Sequence, residues 1–141
     1  MLKFRSMVVL LIDHAGQTKR DDERVYSFGR FLRRHSIDEF PQFINVLKGE
    51  MTLVGPRPHL PGHDTEFSQM QHDYAVRSLV KPGMTGLAQV QCFRGEITTL
   101  EKLRGRLDSD LYYMSNWSIW MDLRIIIRTA AQVLFPPKSA Y

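Results

Sequence analysis

Apolar residues recur with a helical period over most of this chain, and short β-branched clusters lie between those stretches. Residues 3–12 are apolar and partly β-branched, which predicts a strand. Residues 13–23 are polar and predict an exposed loop. Over residues 25–34, Val25, Phe28, Phe31 and Leu32 share one helical face, with Arg30, Arg33 and Arg34 largely off it. Phe40, Phe43, Ile44 and Leu47 then follow i, i+3, i+4, i+7 spacing up to Gly49, where a helix would stop. Ser36 and Glu39 have the spacing of a capping box, which predicts a helix from Ile37. Pro41 removes a hydrogen bond and crowds the Ile37 carbonyl, so a kink or distorted first turn is expected.

Residues 51–54 read as a short strand, followed by a turn in which Pro56 and Pro58 bracket Arg57 and keep it out of the helical region. Residues 63–80 predict a helix with Phe67, Met70 and Tyr74 on one side. Lys81-Pro82-Gly83 and Gly86 read as turns around an extended stretch, 87–90. Residues 96–114 predict a long helix: Leu100, Leu103, Leu107, Leu111 and Met114 step by three or four, and only Gly105 disfavours it, by roughly 1 kcal/mol. The last predicted helix, 117–135, is apolar round much of its circumference and stops at Pro136-Pro137. Such a helix is either buried in a core or laid in a membrane interface. The pattern gives an α+β class, predominantly helical with a few short strands, and no repeat or linker divides it.

Composition narrows this little. The 141 residues suit one domain, and a single cysteine, Cys92, excludes an internal disulfide. The longest clean apolar run, residues 7–12, is far below the ~20 residues a membrane span needs. The formal net charge is +4, and it is uneven: residues 19–35 hold six Lys or Arg and three acids. A phosphate-bearing ligand, an anionic membrane face and nucleic acid are all partners such a balance could serve.

Candidate chemistry starts at Asp38-Glu39. Two acids in a first helical turn sit near the positive end of the helix dipole, where a phosphate is also favoured. Beside a divalent cation, a carboxylate there could be nucleophile or metal ligand; the plain alternative is a capping glutamate beside a favourable first-turn acid. Arg33 lies five residues before Asp38, and Arg57 is held by its two prolines. Either guanidinium could offer a fork to phosphate oxygens, or simply belong to a solvated surface. His59 and His63 have a metal-like spacing that Pro61-Gly62 interrupts. Phosphate-loop, dinucleotide and serine-hydrolase signatures are absent, as are aromatic-basic RNA-binding strands, so nucleic acid is not an expected partner.

The order of motifs is more specific than any one of them. Lys3-Phe4-Arg5-Ser6-Met7, Gly29-Arg30-Phe31-Leu32-Arg33-Arg34, Ser36-Ile37-Asp38-Glu39-Phe40-Pro41-Gln42 and Asn45-Val46-Leu47-Lys48-Gly49-Glu50-Met51 resemble the bacterial sugar transferase family. Val54-Gly55-Pro56-Arg57-Pro58-His59, the stretch from Lys81-Pro82-Gly83 to Val90, and Asn116-Trp117-Ser118 with Asp122-Leu123 continue the match. Phe93-Arg94-Gly95-Glu96 with Leu100-Glu101-Lys102 is most similar to the branch that transfers glucose phosphate.

The resemblance implies a monotopic membrane enzyme at the cytoplasmic face of the bacterial inner membrane. It implies transfer of a hexose-1-phosphate from a UDP-sugar, UDP-glucose by branch, to undecaprenyl phosphate, with release of UMP. Asp38 and Glu39 are then the catalytic pair and Mg²⁺ ligands, with Asp38 forming a covalent intermediate. Arg33, Arg57, Pro56, Pro58 and Lys3 are carried over as substrate-binding positions. Trp117 and Trp120, with Arg124 and Arg128, suit the membrane interface. Relatives usually begin with a re-entrant membrane helix ahead of the Lys3-Phe4-Arg5 motif. The expectation is therefore a catalytic domain over residues 1–141, truncated at its N-terminus. The alternative reading is a catalytically inactive domain that binds membrane or a partner.

Overall fold

The computed structural model describes residues 1–8, 22–58, 72–91, 93 and 99–135. The expectations for residues 9–21, for His59 and His63, for Phe67 and Met70, and for Cys92 and Arg94-Gly95-Glu96 lie outside these residues.

The class is as expected, five α-helices and a two-stranded sheet among the described residues. In chain order they are α1 (Ser27–Arg34), a 3₁₀ turn (Ile37–Glu39), α2 (Gln42–Leu47), β1 (Thr52–Val54), a 3₁₀ helix (His72–Leu79), β2 (Gly83–Thr85), α3 (Leu87–Val90), α4 (Leu100–Ser115) and α5 (Ile119–Leu134). No described helix is long and apolar enough to cross a membrane.

The sheet fixes the centre. β1 and β2 run parallel, with Thr52 opposite Gly83 and Val54 opposite Thr85. The pairing continues past β1, where Gly55 N donates to the Thr85 carbonyl (2.8 Å) and Gly83 N to that of Pro56 (2.9 Å). So close is this approach that a Cβ on Gly83 would collide with the Gly55 backbone. Val54, Val90, Tyr113 and Ile125 form the main apolar cluster, with Leu87, Met114 and Met121 against it, and Tyr74 packs separately on Leu103.

Several expectations need correction. Within the predicted strand at 3–12, residues 1–8 make one antiparallel bridge, Met7 to Val25, and because Val25 is used there α1 begins only at Ser27. The turn predicted at Gly83 is a strand, and the extended stretch predicted at 87–90 is the short helix α3. Hydrogen bonds from β1, thirty residues away, override the local turn preference of Pro82-Gly83. The long helix starts at Leu100 rather than Glu96, because Thr99 caps it by accepting from Lys102 N at 3.3 Å. Gly105 is a packing requirement in that helix, since a Cβ there would lie 2.6 Å from the Phe93 ring.

The apolar stripes of α1 and α2 face outward. Phe28, Phe31, Phe40, Phe43 and Ile44 are exposed and Leu47 is 87% exposed, whereas Asp38, Gln42 and Asn45 are buried. α5 behaves similarly. Ile125 is buried, Thr129 bonds Thr85 (2.7 Å), and Gln132 donates to the Val90 carbonyl (3.1 Å). Trp120, Leu123, Ile127 and Leu134 are exposed, so one side of this helix, with Ile125 and Met121, joins the core while the rest stays uncovered.

Candidate active site

Local backbone geometry delivers the acid pair. Ser36 adopts left-handed φ/ψ of 52° and 22°, unusual for a residue with a side chain, and reverses the chain straight after α1. The 3₁₀ turn that follows swings Asp38 inward until it is 2% exposed. Pro41, in helical conformation, opens α2 instead of kinking a longer helix, so the distortion expected there is a break between two elements. The capping box does not form: the Ser36 side chain makes no cap hydrogen bond, and Glu39 is engaged elsewhere.

The N-terminal segment lies along this inward polar face. Leu2 N donates to Asn45 Oδ1 (2.8 Å) and Phe4 N to the Asp38 carbonyl (2.9 Å). Lys3 is thereby pinned between the acids, its Nζ 3.1 Å from Asp38 Oδ2 and 3.3 Å from Glu39 Oε1. From the other side Arg57 grips Glu39 with both arms, Nη1 to Oε2 at 3.3 Å and Nη2 to Oε1. Burial alone would raise the Glu39 pKa. The charge and hydrogen bonds of Arg57, then those of Lys3, outweigh it and hold this carboxyl down to about 2.

Lys3, Asp38, Glu39 and Arg57 are thus brought together, with Pro56 buried beside them and Pro58 half-buried. Arg33 instead reaches the N-terminal segment, Nε donating to Ser6 Oγ (2.9 Å) and Nη2 pointing at Met7 Sδ (3.1 Å). It ties α1 to the N-terminal segment that carries Lys3. Asp38 Oδ2 is buried and receives no hydrogen bond, its contact with Lys3 being one of charge; Gln42 Nε2, one turn on, is also buried without a partner. Buried polar atoms left without a hydrogen bond cost about 1–3 kcal/mol each unless water, an ion or a ligand meets them.

Among the described residues no three or more metal-ligating side chains cluster. A carboxylate pair alone still fits Mg²⁺, which takes one or two carboxylates and completes its shell with water and substrate phosphate. The unbonded Asp38 Oδ2 is an oxygen suited to that use.

Sequence reasoning missed what stands behind Arg57. Arg77, on the 3₁₀ helix, donates to the Arg57 carbonyl, and Asp110 of α4 pairs with Arg77. Arg106, one turn before Asp110, is buried too. Its pKa is lowered to about 10, by burial first and then by the charges of Arg57 and Arg77. Burial pushes the Asp110 carboxyl up, against the pull of Arg77 and then Arg106. Arg77 and Asp110 are 33 residues apart, and no spacing rule links them.

An acid pair, Asp38 buried and Glu39 half-buried, flanked by Lys3 and Arg57, is apt for phosphate chemistry. The model of the family described as bacterial sugar transferase matches residues 1–136. The UDP-glucose:undecaprenyl-phosphate glucose-1-phosphate transferase of Klebsiella pneumoniae is 49% identical over 140 residues, covering 99% of this chain and 30% of the relative. Its namesake in Xanthomonas campestris pv. campestris is 49% identical over 144 residues, 100% of this chain and 29% of the relative. A UDP-N-acetylgalactosamine-undecaprenyl-phosphate N-acetylgalactosaminephosphotransferase of Aeromonas hydrophila is 39% identical over 133 residues, 94% and 31% of the two chains. The chain therefore spans about a third of the length of these curated relatives. With matching sequence along nearly its whole length, this chain belongs to the bacterial sugar transferase family.

Proposed function

We propose that this chain is the catalytic unit of a phosphoglycosyl transferase that moves a hexose-1-phosphate from a UDP-sugar to undecaprenyl phosphate, releasing UMP. The observation that carries the reading is Asp38: a buried carboxylate whose Oδ2 has no hydrogen bond and faces one flanking cation. Both glucosyl relatives above, at 49% identity, favour UDP-glucose as donor.

In this mechanism Asp38 Oδ2 attacks the phosphorus bonded to the sugar. The bond from that phosphorus to the UMP oxygen breaks, and UMP leaves with the electron pair. The acyl phosphate formed on Asp38 is then attacked by an oxygen of undecaprenyl phosphate, which restores the carboxylate. Two anions must approach at each step, so the cost is repulsion, and fixed cations offset it. Lys3 moves from the carboxylates to the entering diphosphate. Arg57 orients Glu39 and brings its positive charge close to the entering diphosphate. Mg²⁺, held by Asp38 and Glu39, would supply further neutralisation of the diphosphate.

The lipid acceptor requires the site to lie at a bilayer. The exposed apolar faces of α2 and α5, with Trp117 and Trp120 and the exposed Arg124 and Arg128, support a monotopic or peripheral seat on the cytoplasmic leaflet.

The test is UMP release from UDP-glucose by the protein in vesicles containing undecaprenyl phosphate and Mg²⁺. Asp38→Asn is expected to lower the rate by at least about a thousandfold and to abolish the mass adduct of a hexose phosphate on acid-quenched protein. Turnover undiminished by Asp38→Asn overturns the mechanism. Binding of UDP-glucose and vesicles by the unsubstituted protein with no UMP release would instead establish the inactive, membrane-binding alternative.

A further inference from the structure

All three donor positions of one buried guanidinium are accounted for by three different elements. Arg77 Nε donates to Asp110 Oδ2 on α4 (2.8 Å), Nη1 to the Tyr74 hydroxyl (2.9 Å), and Nη2 to the main-chain carbonyl of Arg57 (2.7 Å). The guanidinium also lies 5.0 Å over the Tyr74 ring. Arg77 is 7% and Asp110 2% exposed, and a buried ion pair of this kind adds little net stability compared with a packed apolar pair. What an apolar pair could not do is hold the Arg57 carbonyl. That carbonyl sits between two prolines, with the preceding one, of Pro56, already fixed to β2 through Gly83 N. The turn is therefore clamped at consecutive residues, and its only long side chain is the one that grips Glu39.

We propose that Arg77, held by Asp110 and Tyr74, is a positioning residue that sets where the Arg57 guanidinium stands relative to the Asp38-Glu39 pair, and so tunes the grip on the donor diphosphate. The inference rests on the reading of Arg57 as a phosphate-binding residue. Arg77→Lys keeps the charge opposite Asp110 but loses the fork, since an ammonium cannot reach three partners in one plane. The loss it causes then runs through Arg57.

The experiment is a double-mutant cycle read on two quantities, kcat/KM for UDP-glucose and the equilibrium binding of UDP-glucose with Mg²⁺ in the Asp38→Asn protein, where no turnover interferes. Arg77→Lys is expected to lower each about tenfold in the presence of Arg57 and by less than about twofold in an Arg57→Ala background. Its effect on the unfolding midpoint should be the same in both backgrounds. Tyr74→Phe removes one bond and keeps the ring, so it serves as the milder variant if Arg77→Lys folds poorly; a smaller loss, again confined to proteins with Arg57, is expected. Equal losses in both backgrounds would make Arg77 a purely structural residue and overturn the proposal. An Arg57→Ala protein with unchanged binding and turnover would strike the reading of Arg57 itself, a different outcome from uncoupled Arg77.

Discussion

Asp38 and Glu39 are neighbours, yet their surroundings give them different work. Glu39 is saturated by Arg57 and Lys3, whereas Asp38 keeps an oxygen without a hydrogen bond. In the metal-free protein, Glu39 has a folded pKa near 2 against an ordinary value of 4.5. Its ion pairs therefore contribute fully above about pH 4.5 and are lost as pH falls toward about 2, and Glu39→Gln should flatten acid unfolding curves across that window. Ser36 offers a second check. Since glycine has no Cβ to crowd a left-handed turn, Ser36→Gly should leave stability within about 1 kcal/mol, while Ser36→Val should lower it by about 1–2 kcal/mol in urea titration. The adjacent acids and the proline-bracketed arginine are visible in the sequence as separate motifs. Their meeting is not, because it depends on Ser36 leaving the helical region, which serine seldom does.

At the level of elements, helical period located α4 and α5, since both are long and strongly periodic, but it set the start of α4 at Glu96, ahead of the cap Thr99 that begins it. Period failed on orientation in α1 and α2, where the apolar side is exposed and Asp38, Gln42 and Asn45 turn inward. A pattern of spacing says which residues share a face, and not which face meets protein. β2 was obscured for another reason: three residues led by Pro82-Gly83 carry no strand signal until β1 supplies the partner. Gly105 allows an element-scale test. Alanine should add about 1 kcal/mol of helix propensity but displace the Phe93 ring. Gly105→Ala is thus expected to destabilise the native protein by about 1 kcal/mol and to stabilise a Phe93→Ala protein, the change of sign being read from denaturant midpoints.

For the whole molecule, the exposed apolar residues of α5 and the two arginines on it predict selective adsorption to lipid. Replacing Arg124 or Arg128 with Gln should weaken partitioning onto anionic vesicles about fivefold per charge at low salt, with little change on neutral ones, as sedimentation of vesicles would measure. Ile127→Asp should reduce both while leaving the unfolding midpoint nearly unchanged, because Ile127 has little to lose inside the fold.

The outward phenylalanines of α1 and α2 also bear on handling. In plain buffer, two molecules can hide Phe28, Phe31, Phe40 and Phe43 only from each other, so raising the concentration should drive clumping, read as light scattering. A micelle would remove that competition, and the purified chain should melt later and scatter less light once detergent passes its critical concentration.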